Sequence, residues 1–208
     1  INDPEFGALK DIPSSGNWYD GMLTPEILAR LIYGENPYQS APSDERVALA
    51  WVLWNRKMHP DFDFMLSSIA TSPEQFHAIC HGSEDARIPD TDSTQWKISV
   101  LYACYLYCTE TVSINQTSEL EALLPRPYGI TSDHVYFCSY DSAMNKLQNG
   151  TILRNGVIAG YGSIGSTPVS LEANYWDYDE TYYEEYGTHI VRYVNNVRYE
   201  CINIFYCD

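Results

Sequence analysis

The feature that most constrains this chain is the run Val47-Ala48-Leu49-Ala50-Trp51-Val52-Leu53-Trp54. No polar position interrupts it, so a helix through it is apolar on every side. Such a helix belongs in the middle of a helical core, and the rest of the chain must supply what surrounds it. Ser43 predicts its N-cap, with Asp44 and Glu45 in the first turn where the helix dipole favours acids. Its end is expected over residues 55–58, before Pro60.

Other helices are expected around it. Thr24 reads as an N-cap, Pro25 as the first helical residue and Glu26 as a first-turn acid. Ile27, Leu28, Leu31 and Ile32 follow at helical spacing, and Gly34 and Pro37 bracket the end. Ser72 and Pro73 predict the start of a short helix carrying Gln75 and Phe76. Residues 82–92 read as a polar loop. From Ser93 a long, largely buried helix is expected through Trp96, Val100, Leu101, Cys104, Tyr105 and Cys108.

The last third changes character. Val135 and Phe137 predict a strand. Residues 152–161 predict a hairpin around Asn155-Gly156, and residues 190–205 a second one turning at Asn195-Asn196. Helices first and strands later argue for an α+β fold. Its 208 residues suit one substantial domain, or one domain with a small appendage. The expected layout is an extended lead-in over 1–20, with residues 1–6 reading as vector-encoded. A main domain over 21–140 follows, then a strand-rich extension over 141–208 packed on the same domain. Residues 177–186 alternate acid and tyrosine and read as an exposed loop.

Charge then narrows the function. Twelve basic and 28 acidic residues leave a net charge of −16, which repels a phosphate backbone and an anionic membrane alike. Neither nucleic acid nor membrane is expected as a partner. No apolar run reaches the length of a membrane span, and no basic-then-apolar leader opens the chain. The six cysteines, Cys80, Cys104, Cys108, Cys138, Cys201 and Cys207, fit either a disulfide or small buried apolar side chains. His77, Cys80 and His81 lack the second half of a zinc site. Asp61/Asp63, Asp90/Asp92 and Asp177/Asp179 lack the rest of a calcium loop. No metal and no cofactor are expected.

The sharpest local anomaly is Glu35. It lies eight residues after Ile27 and four after Leu31, so it projects from the apolar stripe of its helix. Burial there, and the negative end of the helix dipole, both raise a carboxyl pKa. A carboxylic acid kept protonated near neutral pH can serve as a general acid. The competing reading is a glutamate at a frayed helix end that points to water.

Those residues carry a resemblance. Leu28-Ala29-Arg30-Leu31-Ile32-Tyr33-Gly34-Glu35 resembles the opening motif of the SleB-type cell wall hydrolases, the spore cortex-lytic enzyme family. The apolar run ending in Asn55-Arg56, and Ile69 followed by Ser72-Pro73-Glu74-Gln75-Phe76, resemble its next two segments. Asp133-His134-Val135-Tyr136-Phe137 is a looser match to a later strand. After Glu35 the chain departs from the family pattern, reading Asn36-Pro37-Tyr38-Gln39. The resemblance implies a lysozyme-like, lytic-transglycosylase-related helical core. It implies cleavage of peptidoglycan glycan strands between N-acetylmuramic acid and N-acetylglucosamine, with Glu35 as the catalytic acid. It also implies a location outside the cell membrane, in the wall or spore cortex.

Sugar binding calls for aromatic faces and planar amides, which makes Tyr33, Gln75, Phe76, His134 and Tyr136 the substrate-binding candidates. Asn55 reads as a helix cap. Hydrolysis by a two-carboxylate mechanism would need a second acid roughly 5–9.5 Å away. Asp44, Glu45, Asp61 and Asp63 are candidates by position only. Two other classes stay open: a cysteine peptidase pairing Cys80 with His134, and a non-enzymatic carbohydrate-binding module using the tyrosines.

Overall fold

A computed structural model describes residues 5–36, 43–112, 116–139, 142–143, 145–146, 149–151, 153–159, 162–163, 191–194, 197–200 and 203–207. Expectations about Cys201, Asp177/Asp179, the turn at Asn195-Asn196, residues 37–39 and residues 177–186 lie outside them. The chain divides into two compact units, Ile1–Pro37 with Leu49–Pro125, and Tyr38–Ala48 with Arg126–Asp208. In the second unit the strand at residues 136–139 pairs with the last strand of the chain.

The described residues form an α+β protein. The first unit is helical: α1 (Thr24–Glu35), most of α2 (Ser43–Met58), α3 (Leu66–Thr71), α4 (His77–Cys80), α5 (Glu84–Arg87), α6 (Thr94–Val112) and α7 (Gln116–Leu123). Helix α2 is buried from Val47 through Arg56, as its all-apolar run requires. Its two tryptophans find partners for their N–H groups at α7. Trp51 Nε1 donates to the Leu124 carbonyl at 3.0 Å and Trp54 Nε1 to Thr117 Oγ1 at 3.1 Å. Helix α1 packs against α3, α4, α5 and α6. On α6 the buried positions are Trp96, Ser99, Ala103, Leu106 and Thr109. Its other face, with Leu101, Cys108 and Val112, is exposed. The helix is therefore covered on one side only, not largely buried as its composition predicts.

Several boundaries differ from expectation. Helix α1 is capped by Leu23, not Thr24, and has no side-chain cap. The Ser72–Phe76 segment is a turn between α3 and α4, with Glu74 at φ 61°, not a helix. Inside the expected loop at 82–92 lies α5, whose Ser83 hydroxyl accepts the Ala86 N–H at 3.3 Å. Helix α7 has no counterpart among the helices that the sequence predicts.

The lead-in is no loose segment either. Trp18 is buried and its Nε1 donates to the Ile79 carbonyl at 2.8 Å. The Gly7 N–H donates to Glu26 Oε1 at 3.1 Å. Fully buried Arg30 gathers these pieces. Its Nη2 donates to Glu26 Oε1 at 2.8 Å and to the Ala8 carbonyl at 2.6 Å. Its Nη1 donates to the Ala86 and Arg87 carbonyls at 2.8 and 3.0 Å. One guanidinium thus ties lead-in, α1 and α5 together.

The second unit carries the strands. The order β1–β6–β2–β3 is antiparallel throughout, with β1 Tyr136–Ser139, β2 Arg154–Ile158, β3 Gly162–Ser163 and β6 Asn203–Cys207. A separate hairpin pairs β4 (Val191–Val194) with β5 (Val197–Glu200), Val194 opposite Val197. It ends at Glu200 and not near residue 205, because residues 203–207 form β6 and pair with β1 and β2. The hairpin expected around Asn155-Gly156 does not turn there, because that dipeptide lies within β2. Asn155 takes φ 50° there, and the register against β6 shifts between Arg154 and Val157. Asparagine tolerates that left-handed backbone, so here the dipeptide makes an irregularity in a strand rather than a turn.

Candidate active site

Glu35 is the last residue of α1, and the fold brings it to the start of α4. The close approach depends on Gly34. A Cβ built there would lie 2.8 Å from the Cβ atoms of both Ala78 and Ala86, and 3.2 Å from Ser83 Oγ. Only glycine lets α1 run this near α4 and α5. The N-cap of α4, Phe76, has no side-chain oxygen to offer. Glu35 supplies one from another element: its Oε1 accepts the Ala78 N–H at 2.8 Å.

The carboxyl is enclosed yet not sealed, since the residue keeps part of its exposure. Burial pushes its pKa from the ordinary 4.5 to about 7, against the opposing pull of the Ala78 N–H and of the Arg56 charge. Arg56 comes from α2 and is itself buried. Its guanidinium lies over the rings of Phe76 and Phe62, 4.6 and 5.1 Å from their centroids. The site therefore has a carboxyl poised to hold or release a proton at neutral pH, a fixed backbone donor and a buried cation.

The other candidates separate into supports and exposed groups. Tyr33 is buried, edge-on to Trp96 with centroids 5.6 Å apart. Phe76 has no exposed surface, so its ring offers no face to a sugar. Gln75 is exposed on the turn before α4. In the second unit His134 is buried. The Thr131 N–H donates to its Nδ1 at 3.0 Å, and its Nε2 lies 2.8 Å from the Asn155 carbonyl oxygen. A backbone N–H can only donate, so Nδ1 accepts and Nε2 carries the proton. Burial holds the imidazole pKa below its ordinary value, against the pull of its hydrogen bonds. His134 thus locks a loop to β2 rather than reaching a ligand. Tyr136 is half-exposed on β1 and stacks on Tyr206, centroids 5.5 Å apart.

The rival chemistries gain little. Cys80 donates its thiol to the Ser72 carbonyl at 3.2 Å, and His134 is committed elsewhere. Cys80, Cys104, Cys108, Cys138 and Cys207 are all free, so no disulfide forms among the described residues. Nor do three His, Cys, Asp or Glu side chains gather there to hold a metal ion. Glu45 is buried and accepts the Asn203 N–H at the start of β6, a structural role.

Sequence reasoning found Glu35 but missed the parts that tune it. Arg56 was legible only as the end of an apolar helix, and Gly34 only as a helix stop. The Ala78 N–H has no signal in the sequence. No family model, curated protein or solved structure matches this chain, so the chemistry of the Glu35 site rests on its own geometry.

Proposed function

We propose that the protein cleaves peptidoglycan glycan strands between N-acetylmuramic acid and N-acetylglucosamine, as a lytic transglycosylase of lysozyme-like fold. The observation that carries the reading is Glu35. It is part-exposed, is held by one backbone N–H and has a pKa of about 7. The resemblance of residues 28–35, 47–56 and 69–76 to the SleB-type enzymes supplies the substrate.

A pKa near the working pH suits a group that must act as acid and then as base. Protonated Glu35 gives its proton to the glycosidic oxygen as the bond to the anomeric carbon breaks. The muramic C6 oxygen then attacks that carbon and passes its own proton to the Glu35 carboxylate. The products are a free hydroxyl on one sugar and a 1,6-anhydro ring on the other, with no water consumed. Arg56 steadies the carboxylate between the two transfers. Gln75, exposed beside α4, is the contact candidate in the unit that carries Glu35. Tyr33 and Phe76 serve as supports. The reading implies work outside the cell membrane, in wall or spore cortex, without a cofactor.

Mass spectrometry of purified peptidoglycan after digestion tests this. Anhydro-muropeptides are expected from the natural chain and none from Glu35→Gln. New reducing ends would replace transglycosylation by hydrolysis. No new glycan ends at all would remove the enzyme reading.

A further inference from the structure

Helix α4 and its C-cap also present two imidazoles that the Glu35 chemistry leaves unused. His77 and His81 stand one turn apart, and the His81 N–H donates to the His77 carbonyl at 3.0 Å, which fixes that turn. Both side chains are exposed. Their ring centroids are 4.7 Å apart, with planes 32° from parallel. A borderline divalent ion sits about 2.0–2.1 Å from an imidazole nitrogen, hence about 3.2 Å from the ring centre. Two imidazoles on one ion, at an angle of about 90–109°, then have centres about 4.5–5.2 Å apart. The observed spacing falls inside that interval, so the two rings are already as close as one shared ion requires.

The site is open rather than closed. The Cys80 thiol is engaged with the Ser72 carbonyl, and no third His, Cys, Asp or Glu completes a group among the described residues. Water would fill the remaining positions, unlike the four protein ligands of a structural zinc site. We propose that His77 and His81 form a labile two-imidazole site for a first-row divalent ion, Cu(II) held more tightly than Zn(II). It goes beyond the glycan-cleavage reading and needs neither sugar nor turnover. An ion across this turn would also stiffen the helix whose Ala78 N–H holds Glu35.

The test is a Zn(II) titration of the full chain, following long-range ¹H–¹⁵N correlations of the imidazole rings. The His77 and His81 signals are expected to move along one shared isotherm that His59 does not follow. His77→Ala should weaken Zn(II) binding at His81 about tenfold or more, and His81→Ala should do the same at His77. Each substitution removes the second ligand of a pair held at high effective concentration. His59→Ala should change neither. Both rings are exposed, so the substitutions leave the core intact. Separate isotherms, no shift at either ring, or single variants that bind as well as the natural chain would overturn the proposal.

Discussion

Glu35 answers two demands at once, and its protonation state shows which is met at what cost. As the acceptor for Ala78 it works in either state, because one carboxyl oxygen suffices. As a buried acid it resists ionisation. Its pKa is higher in the folded chain than in the unfolded one, so the folded form keeps a proton that the unfolded form has lost. Stability from this group therefore falls as pH rises from about 4.5 to about 7, and the full penalty remains above that. A shift of this size corresponds to about 3 kcal/mol. Glutamine resembles the protonated form and can still accept the Ala78 N–H. Glu35→Gln should thus unfold at higher urea than the natural chain at pH 8, and at nearly the same urea at about pH 4. It should lose glycan cleavage by about 10²-fold or more. A glutamate retained only as a charged cap would behave the other way, with its replacement less stable at pH 8. His134 adds an opposite trend that the comparison cancels. Its depressed pKa favours the neutral ring, so its contribution is full above its ordinary pKa and fades in acid.

At the scale of elements, close approach and shared hydrogen bonds hold the helices. Gly34→Ala would gain about 1 kcal/mol of helix propensity. Against this, contacts of 2.8 Å with Ala78 and Ala86 force α1 off α4 and α5, and such overpacking costs about 1–3 kcal/mol. The net expectation is a chain less stable by up to about 2 kcal/mol in urea titration, with cleavage reduced because Ala78 leaves Glu35. Arg30→Ala should be more damaging. It strands Glu26 and the carbonyls of Ala8, Ala86 and Arg87, and breaking a buried pair costs about 3–5 kcal/mol. Limited proteolysis within residues 5–20 should accelerate in parallel. Glu26→Gln combined with Arg30→Met should recover part of that loss. These contacts also explain what the sequence could disclose. The α2 run and the α1 stripe were legible because periodicity records which faces are apolar. The position of Glu35 on its stripe was legible for the same reason. Helices α4, α5 and α7 were not, because four- to eight-residue helices have almost no period. Distant side chains also stand in for their caps and anchors, as Glu35 does for α4 and Trp51 and Trp54 do for α7. Asn155-Gly156 misled because the left-handed backbone that makes a turn also makes a strand irregularity, and only pairing with β6 decides between them.

On the scale of the whole molecule, the net charge of −16 must be reconciled with the proposed wall substrate, which carries carboxylates of its own. Attraction would require a basic surface, and the cations nearest the site do not provide one. Arg30 and Arg56 are buried. Lys57 donates to the Phe64 carbonyl at 2.7 Å and lies 3.5 Å from Glu110. Three of the twelve basic residues are thereby spent on internal contacts, and Glu26 and Glu110 are spent with them. Long-range steering then opposes binding, which has to come from short-range contact. Salt screens the repulsion and leaves such contact largely untouched, since the Debye length contracts from about 30 Å at 0.01 M to about 3 Å at 1 M. Sedimentation of the protein with purified wall material should therefore show a bound fraction that holds or rises as salt is added. A steep fall would mean that cations elsewhere on the chain do the binding.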